Sequence, residues 1–162
     1  MNAEEKVSGP VIATDLHKVM QIRFLTEKTF VLRLDRGNMQ FKAGQHIIVG
    51  LEGELDQREY SVYSGEKNDY LEILVREIPE GNVSKQLKQC KPGELLKVNG
   101  PFGSFGLESF DMFSRELVFI ASGTGISPFH SFVSSYPGID YTIIHGRPFD
   151  NRLSCLLSSS QT

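Results

Sequence analysis

The chain has 162 residues, of which 40% are hydrophobic and 23% charged, and its formal net charge is −3. This composition is typical of a globular protein with enough apolar residues for a real core, and the dispersed lysines and arginines exclude a nucleic-acid partner. No apolar run approaches the length of a membrane-spanning helix, and residues 1–9 lack the apolar region of a secretory signal. We therefore expect no membrane insertion and a cytoplasmic protein. Cys90 and Cys155 are far apart, which predicts no disulfide.

The first two thirds of the chain consist of short predicted strands that are separated by glycine and proline turns. The strands are predicted over residues 11–23 (as one strand or two), 29–34, 46–51, 58–64, 70–76 and 95–98. One short helix is predicted over Gly81 to Lys88, with Asn82 as its N-cap. Short strands at this spacing predict a small antiparallel barrel or sandwich that ends near Leu107.

The character of the sequence changes after that point. Glu116–Ala121 is an apolar run that predicts a strand buried on both faces, and a helix is predicted from Pro128 to Ser134. Tyr141–His145 is a second buried strand, so the three elements form one βαβ unit. A doubly wound sheet needs more parallel strands, and 158–162 is expected to be an irregular end. A truncated chain, a sheet completed by another subunit and a vestigial lobe all remain open.

The segment Arg58–Ser64 combines a guanidinium, two phenols and two hydroxyls in a predicted strand. Alternation places Arg58, Tyr60 and Val62 on one face and the residues between them on the other. A cation beside an aromatic ring suits a ligand that is both anionic and flat. The alternative is an edge strand with ordinary polar side chains.

Two further segments are candidates for ligand binding. Gly81–Ser84 opens the short predicted helix, where unpaired amides and the helix dipole favour an anion. Ser122–Pro128 links a buried strand to a helix at the sheet edge where open α/β sheets bind ligands. Taken alone, the first segment can be an ordinary helix cap, and a G-x-G after a strand is weak support for a nucleotide site.

Four motifs in this order resemble those of the ferredoxin/flavodoxin–NADP(+) reductase superfamily. They are R-x-Y-S at 58–61, G-x-x-S at 81–84, G-P-F-G at 100–103 and G-T-G-I-S-P-F at 123–129. The resemblance implies a six-stranded antiparallel β-barrel that binds FAD (FMN in some members), followed by a partial α/β nucleotide-binding lobe. The implied domains are residues 8–107 for the barrel and 108–162 for the first part of an NAD(P)-binding domain, apparently truncated.

The resemblance also implies roles for the matching residues. Arg58 would pair with the flavin pyrophosphate, Tyr60 would lie against the isoalloxazine or ribityl portion, and Ser61 would approach the ring near N5. Tyr60 and Ser61 are therefore the candidate catalytic residues. The other implied flavin contacts are Leu74, Val75, Arg76, Gly81, Asn82, Val83 and Ser84. The implied dinucleotide contacts are Gly123, Thr124, Gly125 and Arg147.

The implied activity is hydride transfer between NADP(H) or NAD(H) and flavin N5, with electrons passing to a ferredoxin or flavodoxin. FAD rather than FMN rests on Arg58 together with the helix at Gly81, and NADP rather than NAD rests on Arg147 alone. The Cys-Gly turn and terminal aromatic residue of many members are missing. The alternative is therefore a non-catalytic flavin-binding electron-transfer subunit whose nucleotide lobe is completed by a partner or lost. No metal site is expected, because the histidines lack ligand spacing; they are His17, His46, His130 and His145.

Overall fold

The computed structural model describes residues 15–108, 111–147 and 150–158. Its strands are β1 (Asp15–Phe24), β2 (Thr29–Asp35), β3 (His46–Leu51), β4 (Gln57–Ser61), β5 (Tyr70–Arg76), β6 (Leu95–Phe102), β7 (Glu116–Ser122), β8 (Asp140–Arg147) and β9 (Asp150–Ser158). The helices are α1 (Asn82–Gln89), a 3-10 helix (Gly123–Ile126) and α2 (Ser127–Ser135). Within the described ranges, no helix is long and apolar enough to cross a membrane.

The first six strands form one antiparallel sheet in the order β4-β3-β6-β1-β2-β5. A single bridge between Val62 and Ile73 joins the two edge strands. The sheet therefore closes on itself, which confirms the predicted six-stranded antiparallel barrel. Closure also removes most of the free sheet edge, although β4 keeps one open side over its first residues.

Alternation along the strands builds the barrel core. β2 and β5 pair over seven positions, from Thr29↔Arg76 to Asp35↔Tyr70. Phe30 and Leu32 on β2 and Leu71 and Ile73 on β5 are fully buried. Each such side chain contributes about 1.5–3 kcal/mol by leaving water. The β-branched and aromatic residues of these runs are thus the main reason that the barrel forms.

The second lobe contains the predicted βαβ unit. β7 and β8 pair in parallel, and α2 follows β7 through the 3-10 helix. Phe132 of α2 is fully buried and packs in a second core with Phe119 and Ile143, which confirms the partial α/β lobe. β9 pairs antiparallel with β8, and this third strand was not predicted. Residues 8–14 and 159–162, for which predictions were made, lie outside the described residues.

Two local predictions were wrong. β7 is not buried on both faces, because α2 covers one face only, and on the other Val118 is 56% and Ile120 is 70% exposed. Asn82 is not the N-cap of α1 but its first helical residue. The N-cap is Gly81, whose backbone is extended at φ −86° and ψ 124°.

Candidate functional site

A cavity of about 610 Å³ lies where the barrel meets the second lobe. The free side of β4, the end of β5, the start of α1 and the 3-10 helix all contribute to it. Its lining residues are Gln57, Arg58, Glu59, Tyr60, Leu74, Arg76, Ile78, Gly81, Val83, Ser84 and Thr124. Segments separated by up to 67 positions in the sequence, from Gln57 to Thr124, therefore meet at one site.

The β4 wall offers a cation and a phenol. Arg58 is exposed, and its Nη1 donates a hydrogen bond to the carbonyl of Gln57 at 2.7 Å. Among the described residues, no carboxylate forms an ion pair with this guanidinium. Burial raises the pKa of Tyr60, which the charge of Arg58 partly offsets, so the phenol is protonated at neutral pH and can donate. The wall can thus bind an anionic group and orient a neighbouring acceptor.

The N-terminus of α1 forms the second polar wall. Across the described part of the chain, no side chain caps this helix, and its first turn contains no acidic residue. The hydroxyl of Ser84 accepts the Ile78 N–H at 3.1 Å, and its own proton remains able to donate. A Cβ on Gly81 would lie 3.1 Å from Ser84 Oγ, so glycine keeps this end of the helix open. Uncapped amides with a helix dipole favour a phosphate here.

The remaining barrel wall is apolar. Leu74 lines the cavity from β5, and Ile78, just beyond that strand, is 58% exposed. Val75 does not line it, because alternation turns its side chain into the barrel core, where it is fully buried. The flavin contact implied for Val75 stays a prediction, and a buried side chain leaves it to the backbone of this residue. Apolar surface next to a cation and a helix N-terminus suits a ligand with an aromatic part and a phosphate part.

The second lobe contributes Thr124 to the cavity. Two hydrogen bonds hold the 3-10 helix in place: Ser127 Oγ donates to the carbonyl of Thr124 at 2.7 Å, and His145 Nε2 donates to the carbonyl of Gly123 at 2.8 Å. Gly123 has a φ of +53°, in the left-handed region that favours glycine. Gly123 thus shapes the turn that carries Thr124.

Five other predicted residues are not among those that line the cavity. Ser61 ends β4 and pairs with His46, and Asn82 contacts Asp56 with its side-chain amide at 3.5 Å. Gly123 and Gly125 flank Thr124 in the 3-10 helix. Arg147 ends β8, and its side chain lies outside the described part of the molecule. The roles assigned to these residues stay predictions.

Sequence reasoning missed three lining residues, which are Gln57, Glu59 and Ile78. Glu59 was placed on the face opposite Arg58, yet both line the cavity. The reason is that the cavity runs along the open side of β4, where both faces of the strand are accessible. The one signal for Ile78 was its place in the sequence. It is a large apolar residue in the short polar connection between a strand and the helix, where a polar residue is expected.

One cavity thus combines an exposed guanidinium, an uncapped helix N-terminus and an apolar wall on a small antiparallel barrel, an arrangement that suits a ligand with a flat aromatic part and a phosphate part. The family model of the oxidoreductase FAD-binding domain matches residues 17–106. That match covers more than half of the 162 residues, and it includes every barrel residue that lines the cavity. The chain therefore belongs to this family of flavoprotein oxidoreductases, within the ferredoxin–NADP(+) reductase superfamily that the motifs resembled.

Individual proteins agree with this assignment. NADH-cytochrome b5 reductase 1 of Eremothecium gossypii is 30% identical, and the match covers 97% of this chain and 56% of the relative. Flavodoxin/ferredoxin–NADP reductase of Rhodobacter capsulatus is 28% identical over 82% of this chain and 51% of the relative. A ferredoxin NADP+ reductase from Neisseria gonorrhoeae, solved with bound FAD and NADP, superposes with a TM-score of 0.74 at 27% identity, covering 82% of this chain and 56% of that one. The chain spans about half the length of the curated relatives that it matches.

Proposed function

We propose that this protein binds FAD in the cavity and moves electrons between a nicotinamide dinucleotide and a ferredoxin or flavodoxin type of partner. The observation that carries the proposal is the meeting of Arg58 and the uncapped N-terminus of α1 at one cavity with an apolar wall. When bound, FAD supplies the redox chemistry, which is hydride exchange with nicotinamide at N5 and single-electron exchange with the partner.

The residues of the chain bind and orient the cofactor. Arg58 and the first amides of α1 neutralise the diphosphate, with Ser84 as a further hydroxyl donor. Leu74 and Ile78 exclude water from an apolar part of the cofactor. Tyr60, whose pKa is raised by burial, donates from a neutral phenol and adds ring surface. Ser61, at the end of β4, is proposed as the hydroxyl nearest the reacting edge.

Thr124 is the residue proposed to meet the dinucleotide, because it lines the same cavity from the second lobe. We favour NADP over NAD only because Arg147 ends β8, where a 2′-phosphate would be bound in a nucleotide-binding lobe. The domain boundary between residues 107 and 108 and a cytoplasmic location are kept as part of the proposal. Limited proteolysis and cell fractionation, respectively, test them.

The experiment is to purify the protein, incubate it with FAD or with FMN, remove the free flavin and record the absorption spectrum. We expect the protein to retain FAD in preference to FMN. NADH or NADPH is then added without oxygen, and bleaching of the bound flavin is followed. Protein that stays colourless after both incubations would contradict the proposal.

A second candidate is a non-catalytic flavin-binding electron-transfer subunit. The exposed apolar side chains of β7, Val118 and Ile120, favour it, because a parallel sheet is normally covered on both faces. The same experiment separates the two candidates. Flavin that is bound but not bleached by either dinucleotide supports the subunit, whereas bleaching by this chain alone excludes it.

A further inference from the structure

We propose that Glu66 is a positioning residue that fixes the second lobe on the barrel and thereby sets where Thr124 stands at the cavity. The inference rests on the proposed function and adds to it a residue that does not line the cavity. The contact surface involved, which we call the seam, consists of residues 63–66 packed along residues 130–136.

The seam begins with two backbone carbonyls of the barrel that accept hydrogen bonds from α2. The carbonyl of Tyr63 lies 2.7 Å from His130 Nδ1, and the carbonyl of Ser64 accepts from Ser131 Oγ at 2.7 Å. The rings of Tyr63 and His130 also stack, with centroids 3.7 Å apart and planes 8° from parallel. Consecutive residues of the barrel segment therefore contact consecutive residues of α2.

The middle of the seam is a close backbone approach. A Cβ on Gly65 would lie 2.9 Å from the carbonyl oxygen of Ser134, so only glycine allows this packing. The seam starts two residues after β4, which carries the polar wall of the cavity, and α2 begins three residues after Thr124. Both halves of the cavity are thus tied to the seam by short, ordered connections.

Glu66 is where the seam is held most firmly. Its Oε1 accepts from the Tyr136 hydroxyl at 2.8 Å and from the Ala43 amide at 2.9 Å, and its own N–H donates to Ser135 Oγ at 2.9 Å. Lys42 Nζ lies 3.5 Å from Oε2. One carboxylate therefore joins the 42–45 loop of the barrel to the C-terminal end of α2.

The protonation states suit this role. Burial alone raises the pKa of Glu66, but the hydrogen bonds from Ala43 and Tyr136 and the charge of Lys42 bring it below its ordinary value. Burial and the adjacent carboxylate both raise the pKa of Tyr136. At neutral pH the pair is a carboxylate accepting from a neutral phenol, and such charge-assisted hydrogen bonds are stronger than neutral ones.

The test measures hydrogen exchange over residues 123–136, with and without FAD, in Glu66→Ala, Glu66→Gln and Tyr136→Phe. Glu66→Ala and Tyr136→Phe should each raise exchange there about tenfold, because each removes a hydrogen bond to a charged group. Glu66→Gln should restore protection to within about threefold of the wild type, since its amide oxygen still accepts. Lys67→Met is the matched control, because Lys67 is exposed next to Glu66 in the sequence, and exchange over residues 123–136 should stay within about twofold of the wild type.

A second readout separates positioning from general stability. The FAD dissociation constant should stay within about twofold in Tyr136→Phe, while kcat for flavin reduction by NADH or NADPH falls, because the cofactor walls stay intact and only their relative placement changes. Exchange that is unchanged in both Glu66→Ala and Tyr136→Phe would overturn the inference, as would exchange that rises equally over the whole barrel. A wild-type protein that binds no FAD overturns the proposed function instead, and the hydrogen-exchange result in the unliganded protein still decides whether Glu66 holds the seam.

Discussion

Replacing Arg58 with glutamine isolates the electrostatic part of cofactor binding. The guanidinium is exposed at the cavity and, within the described part of the chain, makes one hydrogen bond, to the Gln57 carbonyl. Two unit charges about 4 Å apart attract by about 1 kcal/mol in bulk water and about 4 kcal/mol at the effective dielectric constant of a protein surface. Because Arg58 is exposed, its attraction to a phosphate charge should lie near the lower of these two energies, and we take about 1.5 kcal/mol for it. Since 1.4 kcal/mol is about a factor of ten in affinity, Arg58→Gln should weaken FAD binding roughly tenfold.

The assay is titration of the apoprotein with FAD at low salt, followed by flavin fluorescence. The difference between wild type and variant should shrink as salt rises, because an exposed charge is screened within about 10 Å at 0.1 M ionic strength. Lys18→Gln is the charge-matched control, since Lys18 is exposed on β1 and does not line the cavity. An Arg58→Gln dissociation constant within about twofold of the wild type at low salt would refute the assignment of Arg58 to the diphosphate.

The remaining predictions concern stability and reactivity. Phe132→Ala should lower the free energy of unfolding by about 3–5 kcal/mol, because this ring is fully buried in the second core; a loss below about 1 kcal/mol in a denaturant titration would contradict that packing. Burial lowers the pKa of His130; the charge of Arg23 lowers it further and that of Glu72 raises it. The unfolded chain therefore takes up a proton at higher pH than the folded protein does. The free energy of unfolding should fall as the pH drops from about 7.5 through the histidine pKa of the unfolded chain, near 6.5. That slope should be absent in His130→Gln, and an equal slope in both proteins would exclude this histidine as the cause. Burial and a nearby glutamate raise the pKa of Cys90 to about 11, so in a variant with the other cysteine changed to serine the thiol should resist a disulfide reagent near pH 8 until the protein unfolds.

The barrel was predictable because its strands obey a local rule. Thr29–Asp35 and Tyr70–Arg76 are short runs rich in β-branched, aromatic and other apolar residues, and their predicted bounds matched to within one residue. Strand order was not predictable, since β1 lies between β6 and β2 and such pairing depends on closure of the whole sheet. The bridge between Val62 and Ile73 has no signal in either local segment.

The error at β7 has a physical reason. Val118 and Ile120 are as apolar as Phe119, and composition alone reports only that a run prefers to be buried. Whether a second layer exists to bury both faces depends on what else packs there. The described residues place α2 on one face, beside Phe119, and the sequence pattern of the strand contains no information on the other face.

The site was predictable in its parts but not in its assembly. Arg58 and Ser84 were chosen because their residue types and neighbours suit phosphate chemistry, and Thr124 because its motif resembles that of the superfamily. The cavity brings all three together. What holds them together is the seam, and in the sequence its positioning residue, Glu66, is an ordinary charge in a polar turn. Its importance comes from partners 23 and 70 positions away, the Ala43 amide and the Tyr136 hydroxyl. Residues that contact a ligand need particular chemical groups, so they form motifs that can be recognised in the sequence. Residues that hold two lobes together depend on which groups lie close in the folded chain, and the sequence does not show that proximity.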